Sequence, residues 1–163
     1  MAVLPIWEEY RLKQKSRIRV IWCILFVVYL AVLIYLLLFA KLMGREQIGR
    51  TYSYNLELFK EIKRFLNNTG TLGIRSVLLN LVGNVIGFMP LGFLLPLAFS
   101  RVRGIIFMTL ISFTTTLVIE TCQLVSCTGS FDVDDLLLNT IGGILGYLIY
   151  ILLEKGITAW KER

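Results

Sequence analysis

The chain has 163 residues, enough for one domain, yet 56% of them are apolar and the mean hydropathy is +0.74. A water-soluble core of this size cannot hide that much apolar surface, so the sequence is fitted to a bilayer as its solvent. The net charge of +6 does not mark a nucleic-acid binder, because the basic residues flank the apolar runs, where they orient spans and meet anionic headgroups.

Residues 1–19 form a polar tail in which Arg11, Lys13, Lys15, Arg17 and Arg19 crowd toward the first apolar run. Residues 20–40 carry no charge and are too long for a signal-peptide core. Lys41-Leu42-Met43-Gly44 offers no small-residue cleavage site, so this run is expected to stay as the first span. Across residues 55–66, Leu58, Phe59, Ile62, Phe65 and Leu66 recur at helical spacing among charges. That predicts a short amphipathic helix in the headgroup plane, stopped at residues 67–70. Residues 76–100 read as the second span, with Pro90 and Pro96 each predicting a kink. Residues 104–126 are the third span, 127–135 an acidic loop, 136–153 the fourth span and 154–163 a second basic tail.

The expected fold is an all-α polytopic membrane bundle of about four transmembrane helices, with one extracytoplasmic interfacial helix. The tail before the first span carries five basic residues, 101–103 two, the C-terminal tail three and the 127–135 loop none. This predicts a multi-pass plasma-membrane protein with both termini in the cytoplasm. The seven Lys and Arg of 41–75 run against that pattern; four of them lie in or after the amphipathic helix.

Polar residues within the spans converge on one end. Asn80 and Asn84 fall in the outer half of the second span, Glu120 and Gln123 in that of the third, and Asn139 near the start of the fourth, beside Asp132, Asp134 and Asp135. At 1.5 Å rise per residue all lie within roughly 15 Å of one membrane face. A carboxylate inside a span costs on the order of 2.5 to 3.5 kcal/mol, so it is expected to face the bundle interior or a wet cavity. Glu120 and Gln123 share a helix face, with Thr116 one turn earlier. The eight residues are therefore candidates for an outward-facing polar pocket, and the asparagines serve equally as interhelical glue. Of the acidic loop, Asp134 or Asp135 is a candidate N-cap of the fourth span, and the three aspartates together are oxygen donors for a hard cation. Gly83 with Gly87 and Gly142 with Gly146 form two GxxxG pairs, which predict close packing of spans two and four. Cys122 and Cys127 have the spacing of neither a redox pair nor a zinc finger. The chain holds no histidine, which excludes a histidine triad or a histidine-ligated metal, and no cofactor is expected.

Three blocks of this chain resemble, in order and spacing, the signatures of the VanZ-like family over roughly residues 50–150. They are Asn80 to Pro96, Glu120-Thr121-Cys122-Gln123, and Phe131-Asp132-Val133-Asp134-Asp135 followed by Asn139, Gly142 and Gly146. The resemblance implies a small bacterial multispan protein and low-level resistance to teicoplanin, a lipoglycopeptide. A phosphotransbutyrylase activity, attached to some relatives, finds no phosphate-cradling glycine loop here. Two positions depart from the family pattern. Ser130 stands where many members carry arginine, and Leu58 replaces a proline before Phe59, which predicts continuous helix in place of a turn. Three functions follow as expectations. The first is a non-enzymatic protein whose pocket binds a membrane lipid, a lipid-linked wall precursor or a lipoglycopeptide. The second is a membrane enzyme with Glu120 or Asp135 as general base. The third is an accessory subunit whose polar cluster only sets helix packing.

Overall fold

The computed structural model describes residues 6–38, 52–67 and 74–161. Its elements run α1 (Ile6–Leu38), β1 (Ser53–Asn55), α2 (Lys60–Asn67), α3 (Ile74–Ala98), α4 (Ile105–Val125), β2 (Ser130–Asp132) and α5 (Val133–Lys161). Among the described residues, four helices, α1, α3, α4 and α5, are long and apolar enough to cross a membrane. The all-α bundle is therefore present, with one addition: β1 and β2 pair in parallel, Ser53 with Ser130, Tyr54 with Phe131 and Asn55 with Asp132. The basic tail is helical from Ile6 onward and continuous with the first span, and the fourth span begins three residues earlier than expected and runs on to Lys161. Residues 39–40 of the expected first span and the Asn80 side chain lie outside the described residues.

Helix α5 is the centre of the bundle. Of the residues in its span, 44% are buried, against 11% for α1, which packs mainly on α3 at the periphery. Glycine makes the centre possible. A Cβ on Gly142 would sit 2.2 Å from the Val85 carbonyl oxygen, one on Gly146 1.8 Å from that of Met89, and one on Gly92 1.8 Å from that of Gly143. The α3 and α5 backbones thus touch directly, as small residues permit where lipid gives no hydrophobic drive to association. The first expected GxxxG pair is not part of this contact. A Cβ on Gly83 or Gly87 would meet nothing within 4 Å, and Gly92 takes their place on α3. The expectation fails on helical phase, since the face of α3 that meets α5 carries Val85, Met89 and Gly92.

Helix α3 stays helical through Pro90 and Pro96. Just before Pro90, the Gly87 carbonyl accepts a hydrogen bond from the Tyr29 hydroxyl of α1 at 2.8 Å. Phe26 also meets Phe99 edge-on at 5.9 Å, and the Cys23 thiol lies 3.7 Å from the Ala98 carbonyl. These contacts hold α1 to α3. Tyr29→Phe is expected to lower bundle stability by about 1 kcal/mol, read as a lower thermal midpoint in detergent; an unchanged midpoint would show that the hydroxyl contributes nothing to docking α1.

At the end opposite the sheet, Gly104 turns the chain between α3 and α4 with φ 120°, a conformation that side chains rarely adopt. Its N–H donates to the Tyr147 hydroxyl at 2.6 Å. Nearby, Arg103 bonds Glu154 at 3.0 Å, and the Tyr150 hydroxyl donates to the same carboxylate oxygen at 2.8 Å.

Candidate functional site

The sheet end of the bundle is organised by carboxylates that accept backbone and amide N–H groups. Helix α5 begins at Val133, so Asp132 is its N-cap: its Oδ1 accepts the Asp134 N–H at 2.8 Å. The expected caps, Asp134 and Asp135, lie already inside the first turn. The same Asp132 oxygen accepts from Asn55 Nδ2 at 3.2 Å, and the Asp132 N–H donates to Glu120 Oε2 at 3.1 Å. One residue thereby ties α4, β1 and the start of α5 together.

Asp134 caps a different helix. Its Oδ1 accepts from the Phe59 N–H at 2.5 Å and its Oδ2 from the Ile62 N–H at 3.1 Å. The carboxylate sits at the positive N-terminal end of α2, where orphan amides and the helix dipole favour an anion. This explains why the amphipathic helix starts at Lys60 and not at Asn55. Asn55 belongs to β1, its Oδ1 accepts the Glu57 N–H at 3.2 Å, and Phe59 turns the chain with φ 66°. The turn expected to be lost with the family's proline is therefore kept, because Asp134 holds it from across the fold.

Asp135 Oδ1 accepts from Asn84 Nδ2 of α3 at 2.5 Å. Deeper in the α4–α5 seam, Asn139 Nδ2 donates to Thr116 Oγ1 at 2.8 Å. Gln123 Nε2 donates to the Leu37 carbonyl at 3.0 Å and so meets an orphan acceptor in the last turn of α1. The Gln123 backbone carbonyl receives the Thr128 and Gly129 N–H groups that end α4. Glu120, Gln123, Asp134 and Asn139 are at most 2% exposed. The structure thus brings Asn84, Glu120, Gln123, Asp132, Asp134, Asp135 and Asn139 to the sheet end of the bundle, where Asn84 pairs with Asp135, Glu120 with Asp132, and the others bond further groups of the fold. Two apolar grooves, on α1 around Val20 to Val28 and on α4 around Phe107 to Thr115, lie in the other half of the bundle.

The three aspartates point to three different elements, and among the described residues no group of three or more His, Cys, Asp or Glu side chains is placed to hold a metal ion. Among the described residues, three buried polar atoms have no hydrogen-bond partner: Ser112 Oγ, Gln123 Oε1 and Asn139 Oδ1. Ser112 was missed from the sequence, although Ser112, Thr116, Glu120 and Gln123 form a buried polar stripe at helical spacing along α4. Ser53 was missed as well; its hydroxyl donates to the Ser130 hydroxyl at 3.1 Å. The signal for Ser53 and Asn55 is the alternation of polar with apolar residues from Tyr52 to Leu56, a strand period of which only Asn55 and Leu56 fell within the expected helix.

Fold and site together define a polytopic helical membrane protein whose loop end is locked by buried carboxylates and amides. The VanZ/LLP1 family model matches residues 26–154, and the chain belongs to that family. It is 33% identical over 144 residues to the Protein VanZ of Enterococcus faecium, an alignment covering 84% of this chain and 78% of that relative. No solved structure matches it.

Proposed function

We propose that the chain is a non-enzymatic binding protein of the plasma membrane, with both termini cytoplasmic. Its α4–α5 seam takes the polar head of an envelope amphiphile, a lipid-linked wall precursor or a lipoglycopeptide, from the extracytoplasmic side. The observation that carries this reading is unused hydrogen-bond capacity. Gln123 Oε1 and Asn139 Oδ1 are buried acceptors without donors, and Ser112 Oγ continues the line toward the middle of the bundle. Leaving such atoms unmet costs about 1–3 kcal/mol each, which a head rich in hydroxyl or amide donors recovers. Glu120 and Asp135, the acid–base candidates, accept donors from the fold itself, and we read them as holding groups. The teicoplanin resistance implied by the resemblance fits capture of an amphiphile at this end of the bundle.

Asn55 and the N-terminus of α2 cover the aspartates, so the head enters when the β1–α2 segment lifts. The Ser53 and Ser130 hydroxyls are close enough for a disulfide after Ser53→Cys and Ser130→Cys. In membranes, photoreactive teicoplanin or a photoreactive wall-precursor lipid is expected to label residues between 112 and 139. The oxidised double variant is expected to lose that labelling and to regain it on reduction. Equal labelling of the oxidised form would overturn the lifting segment, and absence of labelling in the unmodified protein would overturn the binding role.

A further inference from the structure

The outward face of β1 leaves a cluster of large side chains bare. Strand alternation puts Ser53 and Asn55 on one face of the sheet, where they bond the in-register Ser130 and Asp132. Tyr52, Tyr54 and Leu56 therefore point the other way, and they are 69%, 65% and 66% exposed. Leu58 and Phe59, in the turn that follows, are exposed too. Tyr54 lies in register with Phe131, which puts a second aromatic ring beside it on the same face. Five large side chains with apolar surface are thus exposed within eight residues, a local density of the kind that marks a contact surface.

We propose that this face is a membrane anchor, inserted in the headgroup layer of the phospholipid bilayer beside the sheet end of the bundle. Place and chemistry argue for lipid as the occupant. β2 passes without a break into α5, so the sheet stands where a span leaves the membrane. Tyrosine is the residue type that settles at this depth, with an apolar ring and a polar tip. Lys63 follows on the exposed side of α2, beside Lys60, which pairs with Glu57 at 3.3 Å, and places a cation near lipid phosphates. The helix itself is not the inserted part: α2 is packed on α3 and α5 and capped by Asp134, with Ile62 partly buried. The strand and turn before it carry the lipid contact, and they do so whether or not the seam binds an amphiphile.

The test uses the full chain in phospholipid nanodiscs, which leave both faces open to aqueous reagents. With Cys23, Cys122 and Cys127 replaced by serine, Tyr54→Cys or Leu56→Cys is labelled with an environment-sensitive fluorophore; both sites are exposed enough to tolerate it. The expected result is strong quenching by lipids with a nitroxide near the headgroup, weaker quenching by lipids with a nitroxide deep in the acyl chain, and reduction by dithionite at least about fivefold slower than for the same label on a soluble peptide. Two results overturn the anchor. One is a label quenched by neither lipid and reduced at the free rate. The other is efficient Tyr54→Cys disulfide formation between two copies sharing a disc, which would assign the face to a second copy of the chain.

Discussion

Gly146→Ala is expected to break the bundle, while Gly83→Ala leaves it intact. The added methyl at position 146 would stand 1.8 Å from the Met89 carbonyl oxygen, 2.7 Å from its carbon and 3.0 Å from its Cα, all backbone atoms that have no rotamer to escape into. Relief requires α3 and α5 to separate by roughly 1.5 Å along their closest approach, which forfeits much of the dispersion attraction that replaces hydrophobic drive in lipid. A loss of about 3 kcal/mol or more follows, at the upper end of overpacking effects, because the neighbouring contacts at Gly142 and Gly92 open together. Gly83 has open space around it and gains helix propensity from the same change. Thermal unfolding and size-exclusion profiles in detergent separate the two variants. A Gly146→Ala protein that runs and melts like the parent would show that α5 does not sit on the α3 backbone.

The second large effect is expected at Asp134. Asp134→Ala leaves the Phe59 and Ile62 amides without their acceptor and removes the anion from the α2 N-terminus. Each charge-assisted bond contributes about 1.5 kcal/mol or more, so the β1–α2 segment loses roughly 3 kcal/mol of docking. The close glycine contacts between α3 and α5 lie at Gly92, Gly142 and Gly146, away from Asp134 along the chain, and the bundle is expected to remain. The readout is therefore local: protease cleavage within residues 52–67 is expected to rise by at least about tenfold, with little change in the thermal midpoint of the bundle. Asp134→Asn keeps one acceptor oxygen and is expected to fall between. Unchanged cleavage in Asp134→Ala would mean that α2 is held by its apolar contacts alone.

How far the site was legible differs from residue to residue. Glu120 and Gln123 stood out because ionisable and amide side chains are costly in a span, so their burial in the bundle interior followed from composition alone. Asn84 and Asn139 stood out as amides within apolar runs. Their partners were not legible. Asp135 and Thr116 are chosen by which helix faces meet, and that phase is set by packing. The cap assignment failed for a related reason. Asp132, Asp134 and Asp135 are chemically equivalent as caps from sequence, and the β1–β2 pairing selects Asp132 for α5 and frees Asp134 for α2.

The order of residues was enough to establish that this protein lives in a membrane, how many helices are fit to cross it, and that its polar side chains gather at one end. Those properties depend on transfer free energies that each residue carries wherever it sits. Three outcomes came from the folded chain instead: which glycines touch a neighbouring backbone, which aspartate caps which helix, and that a short parallel sheet closes over the polar cluster. They depend on contacts between segments some 50 to 80 residues apart, such as Asn84 with Asp135 and Asn55 with Asp132, and no local pattern encodes the partner.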